Sequence, residues 1–363
     1  MQIKIQTQKL LKILKNISGG IKKTKKNALS SYILIKTIKK NIFCVSINED
    51  IEIVTYDTLE KNDNDAEILI KHDLIYNICR TNKEDSIINI IQKHNSVEVQ
   101  TENSTFNLPY INNQIFPSFP HEENTLIKFK IKTNLLKNLL QKSIITTADN
   151  SPKLFLNGIL FNINKNKLNI LSSDGFRIIY SYELIKNNTK KIKVIIPKNT
   201  INEIINIFNN EDYTIILISN NQIKFITTNI TLTSRLVNDI YNHPKIKISS
   251  SKNKIIQINT ADMKNALNKI NVLCTNNSKV NFLFQKKQMT IKTKNNYEHV
   301  NINLKNDYNK NQFKIDVNYK YFIDIIKLIE NEYFYILINL KEQKIIIKEE
   351  YKNYIYIIMP FNI

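Results

Sequence analysis

No apolar run in the chain approaches the roughly 18 residues that span a bilayer. Lysines also break the stretch around Leu10–Leu14, so neither a membrane span nor a signal peptide is expected. Only three cysteines occur, Cys44, Cys79 and Cys274, far apart and without CxxC spacing. That excludes a disulfide framework and a cysteine zinc site and suits a reducing cytosol, so the expected location is cytoplasmic. Glycine is down to four residues, which leaves no GxGxxG, no GxxxxGK[ST] and no GxSxG. The five histidines are scattered, with no HExxH and no pair at helical spacing. Asp149 and Asp174 are the only carboxylates that invite a metal reading, and scattered acids of this kind usually form turns or caps. Catalysis, metal and cofactor are therefore not expected.

Arginine is almost absent as well. Arg80, Arg177 and Arg235 are the only three among 52 basic residues, which face 32 acidic ones for a formal charge of +20. Two readings of that charge stay open. One is compositional drift that replaced Arg with Lys and small residues with Asn on solvated faces. The other is a polyanion partner, because a strongly basic chain attracts phosphates from a distance.

What is present is a repeat. Thr7-Gln8-Lys9-Leu10-Leu11, Thr133-Asn134-Leu135-Leu136-Lys137 and Thr260-Ala261-Asp262-Met263-Lys264 each open a helical pattern, with Thr at the expected N-cap. Leu11, Leu136 and Met263 are spaced by 125 and 127 residues. A second set, aligned on Ile70, Ile196 and Ile315, is spaced by 126 and 119 and leads into three further helices. Period-2 strands such as Gln222-Ile223-Lys224-Phe225-Ile226 fill the rest. The fold class is therefore α+β, three tandem copies of a two-helix, antiparallel-sheet domain, with boundaries expected at 1–124, 125–251 and 252–363. Against so glycine-poor a background, Gly158 and Gly175 mark positions that need close approach or positive φ. Ser173-Asp174-Gly175-Phe176-Arg177 reads as an Asp-Gly turn between strands, with Arg177 either bracing it or lining a groove.

At these residues the chain resembles the bacterial DNA polymerase III β subunit, the sliding clamp. The family shows L-N-G-x-L-F followed by T-D-G-x-R-L, and here stand Leu156-Asn157-Gly158-Ile159-Leu160-Phe161 and Ser173-Asp174-Gly175-Phe176-Arg177-Ile178. Its S-K-L-V-x-G-x-F-P-D-Y is matched by Ser234-Arg235-Leu236-Val237 through Asn242-His243-Pro244, and its terminal Y-V-V-M-P-M-R-L by Tyr356 through Ile363. Asp50-Ile51-Glu52 and Ile78-Cys79-Arg80 also resemble it. The resemblance runs the whole length in order.

It implies a head-to-tail homodimer whose six domains close a ring around double-stranded DNA, with helices inside and sheets outside. It further implies not an enzyme but a tether for the DNA polymerase III catalytic subunit, the clamp loader and other replication and repair proteins that bind through short linear motifs. By this resemblance Lys22, Lys23, Lys25, Lys26, Asn150 and Lys153 touch DNA, although a solvated charge run is the plainer reading of the lysine loop. Helix lysines Lys12, Lys15, Lys137, Lys264, Lys320 and Lys327 line the hole. Leu74 and Phe106 meet Val272 and Leu273 of a second copy; of the family's acidic cluster there, only Glu298 is present. The partner cleft has Leu156, Ser173, Gly175, Phe176, Arg177, Ile178 and Ile246 on one wall and Ile357, Met359, Pro360, Phe361 and Asn362 on the other. Phe176 stands where histidine is common and Asn362 where arginine is common. Two rival classes are a basic repeat protein that coats nucleic acid without encircling it and a metal-dependent hydrolase.

Overall fold

Alternating apolar and charged residues set the strands. In Ile127-Lys128-Phe129-Lys130-Ile131-Lys132 the three apolar side chains are buried and the three lysines exposed, the period-2 pattern of a sheet with one wet face. The structure, a computed structural model, describes residues 2–21, 28–59, 61–62, 65–94, 96–109, 111, 116–122, 124–186, 191–209, 212–241, 254–274, 278–294, 299–339 and 343–361.

The first copy of the repeat runs β1 (Gln2–Gln6), α1 (Thr7–Ile17), β2 (Tyr32–Ile38), β3 (Asn41–Ile47), β4 (Ile51–Thr58), β5 (Lys61–Asn62), β6 (Ala66–Lys71), α2 (His72–Thr81), β7 (Ile87–Gln92), β8 (Ser96–Gln100) and β9 (Thr105–Pro109). The second runs β10 (Ile127–Lys132), α3 (Thr133–Ser143), β11 (Gly158–Asn164), β12 (Lys167–Ser173), β13 (Arg177–Leu184), β14 (Ile192–Pro197), α4 (Lys198–Ile207), β15 (Tyr213–Ile218), β16 (Gln222–Ile226) and β17 (Ile230–Arg235). The third runs β18 (Lys254–Asn259), α5 (Thr260–Ile270), β19 (Lys279–Gln285), β20 (Gln288–Lys294), β21 (His299–Lys305), β22 (Phe313–Asn318), α6 (Tyr319–Leu328), β23 (Tyr333–Asn339), β24 (Lys344–Glu349) and β25 (Tyr354–Ile358). The order strand, helix, strands, helix, three strands recurs each time, as the periodicity predicts.

One expectation needs correction. Thr7, Thr133 and Thr260 are the first residues of their helices rather than N-caps; Gln6 takes the N-cap position of α1 without a side-chain bond, and the Asn259 side chain caps α5 by accepting from Asp262 N. Each threonine is buried and ties its helix to the segment after the second helix of its copy. Backbone N–H groups of Thr7, Thr133 and Thr260 donate to Ser86 O, Asp212 O and Glu332 O at 2.9, 3.1 and 2.8 Å. Their hydroxyls meet Ser86, Thr214 and the Asn331 carbonyl. A short side chain that satisfies itself across the fold has no need to cap locally.

The chain divides into two compact units, Met1–Asn138 with Asn199–Leu236, and Leu139–Lys198 with Val237–Ile363. The cut passes through the middle copy because its strands belong to its neighbours' sheets. In the first unit a five-stranded sheet has the order β5-β1-β7-β8-β9, and an eight-stranded one β10-β15-β16-β17-β4-β3-β2-β6. In the second unit the sheets are β14-β11-β12-β13-β25-β24-β23-β18 and β21-β20-β19-β22. All pairs are antiparallel, and the sheets are joined across copies by β4 with β17 and by β13 with β25. Helices bury one apolar stripe: α1 sinks Leu10, Ile13, Leu14 and Ile17, each worth roughly 1.5–3 kcal/mol.

Candidate functional site

The Asp-Gly turn forms as the sequence requires. Gly175 has φ +96°, a left-handed conformation that a side chain would strain. Asp174 Oδ1 accepts the N–H groups of Phe176 and Arg177, each at 3.0 Å, and Ser173 Oγ donates to Arg177 O at 2.9 Å. Gly158 answers the other need, since a Cβ there would stand 2.4 Å from Ile196 O on β14.

Of the two roles open to Arg177, the geometry builds the bracing one. Its side chain is buried, with Nε 2.7 Å from Asp174 Oδ2 and Nη1 2.8 Å from Asp324 Oδ2 on α6. Nη2 donates to Ile145 O at 3.0 Å, and the guanidinium lies over the Tyr321 ring at 4.7 Å. Lys320 holds the other oxygen of Asp324 at 2.9 Å. Two carboxylates and one guanidinium thus bind the turn to a helix about 150 residues away in the sequence. Tyr321 and Asp324 belong to this site and were not expected; only as partners of Arg177 could they have been marked.

The pairing of β13 with β25 brings the predicted walls together, with Arg177 opposite Ile358 and Ile178 opposite Ile357. Past the strand, Met359 N donates to Phe176 O and Phe361 N to Asp316 O, both at 2.8 Å, which fixes the end of the chain beside the turn. Phe176, Met359 and Phe361 are 58, 40 and 53% exposed, with Phe176 stacked on Tyr321 at 5.9 Å between centroids. Pro360 is half-buried and Gly175 exposed. Leu156, Ser173, Ile178 and Ile357 do not present side chains on a wall: all are buried. Ile178 and Ile357 pack with Leu337 and Ile346, because neighbouring strands of an eight-stranded sheet cover each other's β-branched residues. Ile246 and Asn362 lie outside the described residues. The result is an apolar patch with exposed aromatic rings over a closed core, suited to apolar anchors of a ligand.

Of the predicted DNA contacts, Lys22, Lys23, Lys25 and Lys26 lie outside the described residues. Asn150 and Lys153 are exposed on a loop held by the Asn157 side chain, which accepts from Ser151 N at 2.8 Å and donates to Ser151 O at 2.9 Å. Lys12, Lys15 and Lys327 are exposed on their helices. Lys137, Lys264 and Lys320 are half-buried and engaged within the fold. Their ammonium groups bond Asn209, Ile329 O and Asp324 at 2.6, 2.8 and 2.9 Å, because a long side chain finds these acceptors within its own fold. Asp149 is paired with Lys198 at 2.7 Å and Asp174 with Arg177, so cations already hold both carboxylates. Among the described residues no group of three metal-ligating side chains converges, and no helix is long and apolar enough to cross a membrane.

The predicted interface residues fall on separate units. Leu74 and Phe106 are 39 and 36% exposed in the first, with Phe106 on β9, an edge of the five-stranded sheet. Val272, 83% exposed, and the half-buried Leu273 follow α5 in the second, whose four-stranded sheet ends at β21. Edge strands offer rows of backbone donors and acceptors to another chain. Glu298 lies outside the described residues.

Three family models match the chain in succession: DNA polymerase III beta subunit N-terminal domain over residues 1–120, central domain over 130–245 and C-terminal domain over 248–362. A beta sliding clamp of Buchnera aphidicola is 25% identical over 355 residues, covering 96% of both chains. That of Pseudomonas aeruginosa is 21% identical over the whole of both. Among solved structures, a DNA polymerase sliding clamp from Pseudomonas aeruginosa matches all of both chains with a TM-score of 0.93 at 20% identity. A DNA polymerase III beta subunit from Eubacterium rectale does so with a TM-score of 0.91 at 24%.

Proposed function

The chain belongs to the DNA polymerase III beta subunit family, and on that premise we propose that it is a DNA sliding clamp, a non-catalytic subunit that keeps the replicative polymerase on its template. Two chains join head to tail, each contributing domains 1–124, 125–251 and 252–363, and the ring encloses double-stranded DNA in the cytoplasm. The observation that carries this reading is the sheet continuity between successive copies, together with two unshared sheets that have edges at β9 in one unit and β21 in the other. Two different edges favour a heterologous contact, which closes into a ring when the rotation per copy allows. Lys12, Lys15, Lys153 and Lys327, with Asn150 and the lysines at 22, 23, 25 and 26, touch phosphates without reading bases. Phe176, Met359, Pro360 and Phe361, with Gly175, Ile246 and Asn362, receive short linear motifs of the polymerase III catalytic subunit, the clamp loader and repair proteins. Leu156, Ser173, Arg177, Ile178 and Ile357 support them from below.

The test is topological. Protein loaded onto nicked circular DNA should survive a salt wash that removes it from linear DNA, and should leave once the circle is cut, because salt weakens phosphate contacts but cannot open a link. Equal loss from circles and linear fragments would mean that the protein coats DNA instead.

A further inference from the structure

The two joints between copies follow one register. In the second unit Arg177 pairs with Ile358, and the next residue, Met359, donates to Phe176 O at 2.8 Å. In the first unit Ile51 pairs with Ser234, and the next residue, Arg235, donates to Asp50 O at 2.9 Å. Arg235 and Asp50 therefore occupy in the first joint the places of Met359 and Phe176 in the second. The single helical turns at 28–31 and 154–157 precede β2 and β11 in the same way. Beside the first joint lies a cavity of about 270 Å³, whose lining includes Leu29, Ile47, Glu49, Phe119, Pro120 and Arg235.

We propose that this cavity is a second peptide-binding site, taking a short segment that carries an apolar side chain next to a carboxylate. Its chemistry differs from that of the other joint. Glu52 and Thr233 stand at the positions equivalent to Ile178 and Ile357, so the first joint has polar groups where the second packs isoleucine. Leu29 is half-buried in the lining, with Ile47 and Phe119, both buried, beneath it, and the volume suits one anchor with its backbone rather than a large ligand. Arg235 is exposed, with its guanidinium carbon 5.7 Å from the Phe119 ring centre, and no carboxylate among the described residues pairs with it. In a chain with three arginines among 52 basic residues, a planar guanidinium at this rim is the group that takes a carboxylate through two parallel N–H bonds. Glu49 shares the lining. It is already engaged within the fold, so Arg235 is the group that meets the carboxylate, and the apolar side chains beside the guanidinium favour a peptide over a nucleic-acid strand. The proposal stands on the first unit alone and does not depend on ring formation.

The test uses the full chain labelled with ¹³C in Ile, Leu and Met methyls, titrated with N-acetyl-Asp-Leu-Phe-amide. Leu29 and Ile47 methyls should shift saturably. Replacing the peptide's Asp with Asn, or Arg235→Gln in the protein, should weaken this binding about tenfold. The Met359 methyl in the same sample reports separately on the other joint. No shift at Leu29 and Ile47, shifts confined to Met359, or equal affinity for the Asp and Asn peptides would overturn the proposal.

Discussion

Arg177 is held on three sides, and its removal strands the half-buried Asp174 and leaves Asp324 with Lys320 alone. Arg177→Ala should lower stability by about 3 kcal/mol, because removing the buried cation of the cluster leaves Asp174 uncompensated and frees the turn from α6. Thermal unfolding checks this; an unchanged melting temperature with lost peptide binding would return the residue to the groove. Glu52 is the opposite case, a buried carboxyl without a strong partner, with His121 Nε2 3.4 Å away. Burial pushes its pKa up from 4.5 to about 7, against the partial pull of Lys224. Between those values the folded protein holds a proton that the unfolded chain has released, so stability falls as pH rises through that window and the penalty is complete above it. Glu52→Gln should therefore add roughly 2 kcal/mol at pH 8 and nothing at pH 4. Urea denaturation at both pH values decides it, and parallel profiles for the two proteins would count against the shift.

At the scale of elements, helices and strands were legible because their apolar periods differ, and α1 and β10 follow their patterns residue by residue. The Asp-Gly turn was legible too, since few residues other than glycine accept its backbone. The helix caps were misread because a threonine's hydroxyl reached a loop 79 residues away instead of its own first turn. The site was half legible. The sequence placed the right segments side by side, but isoleucine on both faces of β13 and β25 hides which side chains point to solvent. Asp324 was invisible for the same reason as any partner 147 residues distant. The end of the chain makes a prediction of its own. Removing residues 359–363 deletes, among the described residues, two backbone hydrogen bonds and the exposed side chains of Met359 and Phe361. It should weaken a peptide from the polymerase catalytic subunit at least tenfold while costing about 2 kcal/mol of stability. Undiminished affinity by calorimetry would remove this patch from the partner site.

For the whole molecule, the open edges predict association. The protein should sediment at about twice 42.6 kDa. Leu273→Asp and Phe106→Asp should each yield monomers, because a carboxylate buried in an apolar contact lacks a partner. Dimers of unchanged affinity in both variants would shift the interface elsewhere. The shared sheets carry a further consequence, for synthesis rather than for the finished ring. β4 is complete by residue 58, yet its neighbour β17 begins at residue 230. Until the ribosome has delivered that strand, the first copy displays a bare edge of eight residues, Ile51–Thr58. Contacts so distant along the chain form late and slowly. Nascent chains halted between these two points should therefore be the ones that need chaperones most, and translation speed across the middle copy should govern the yield of native protein.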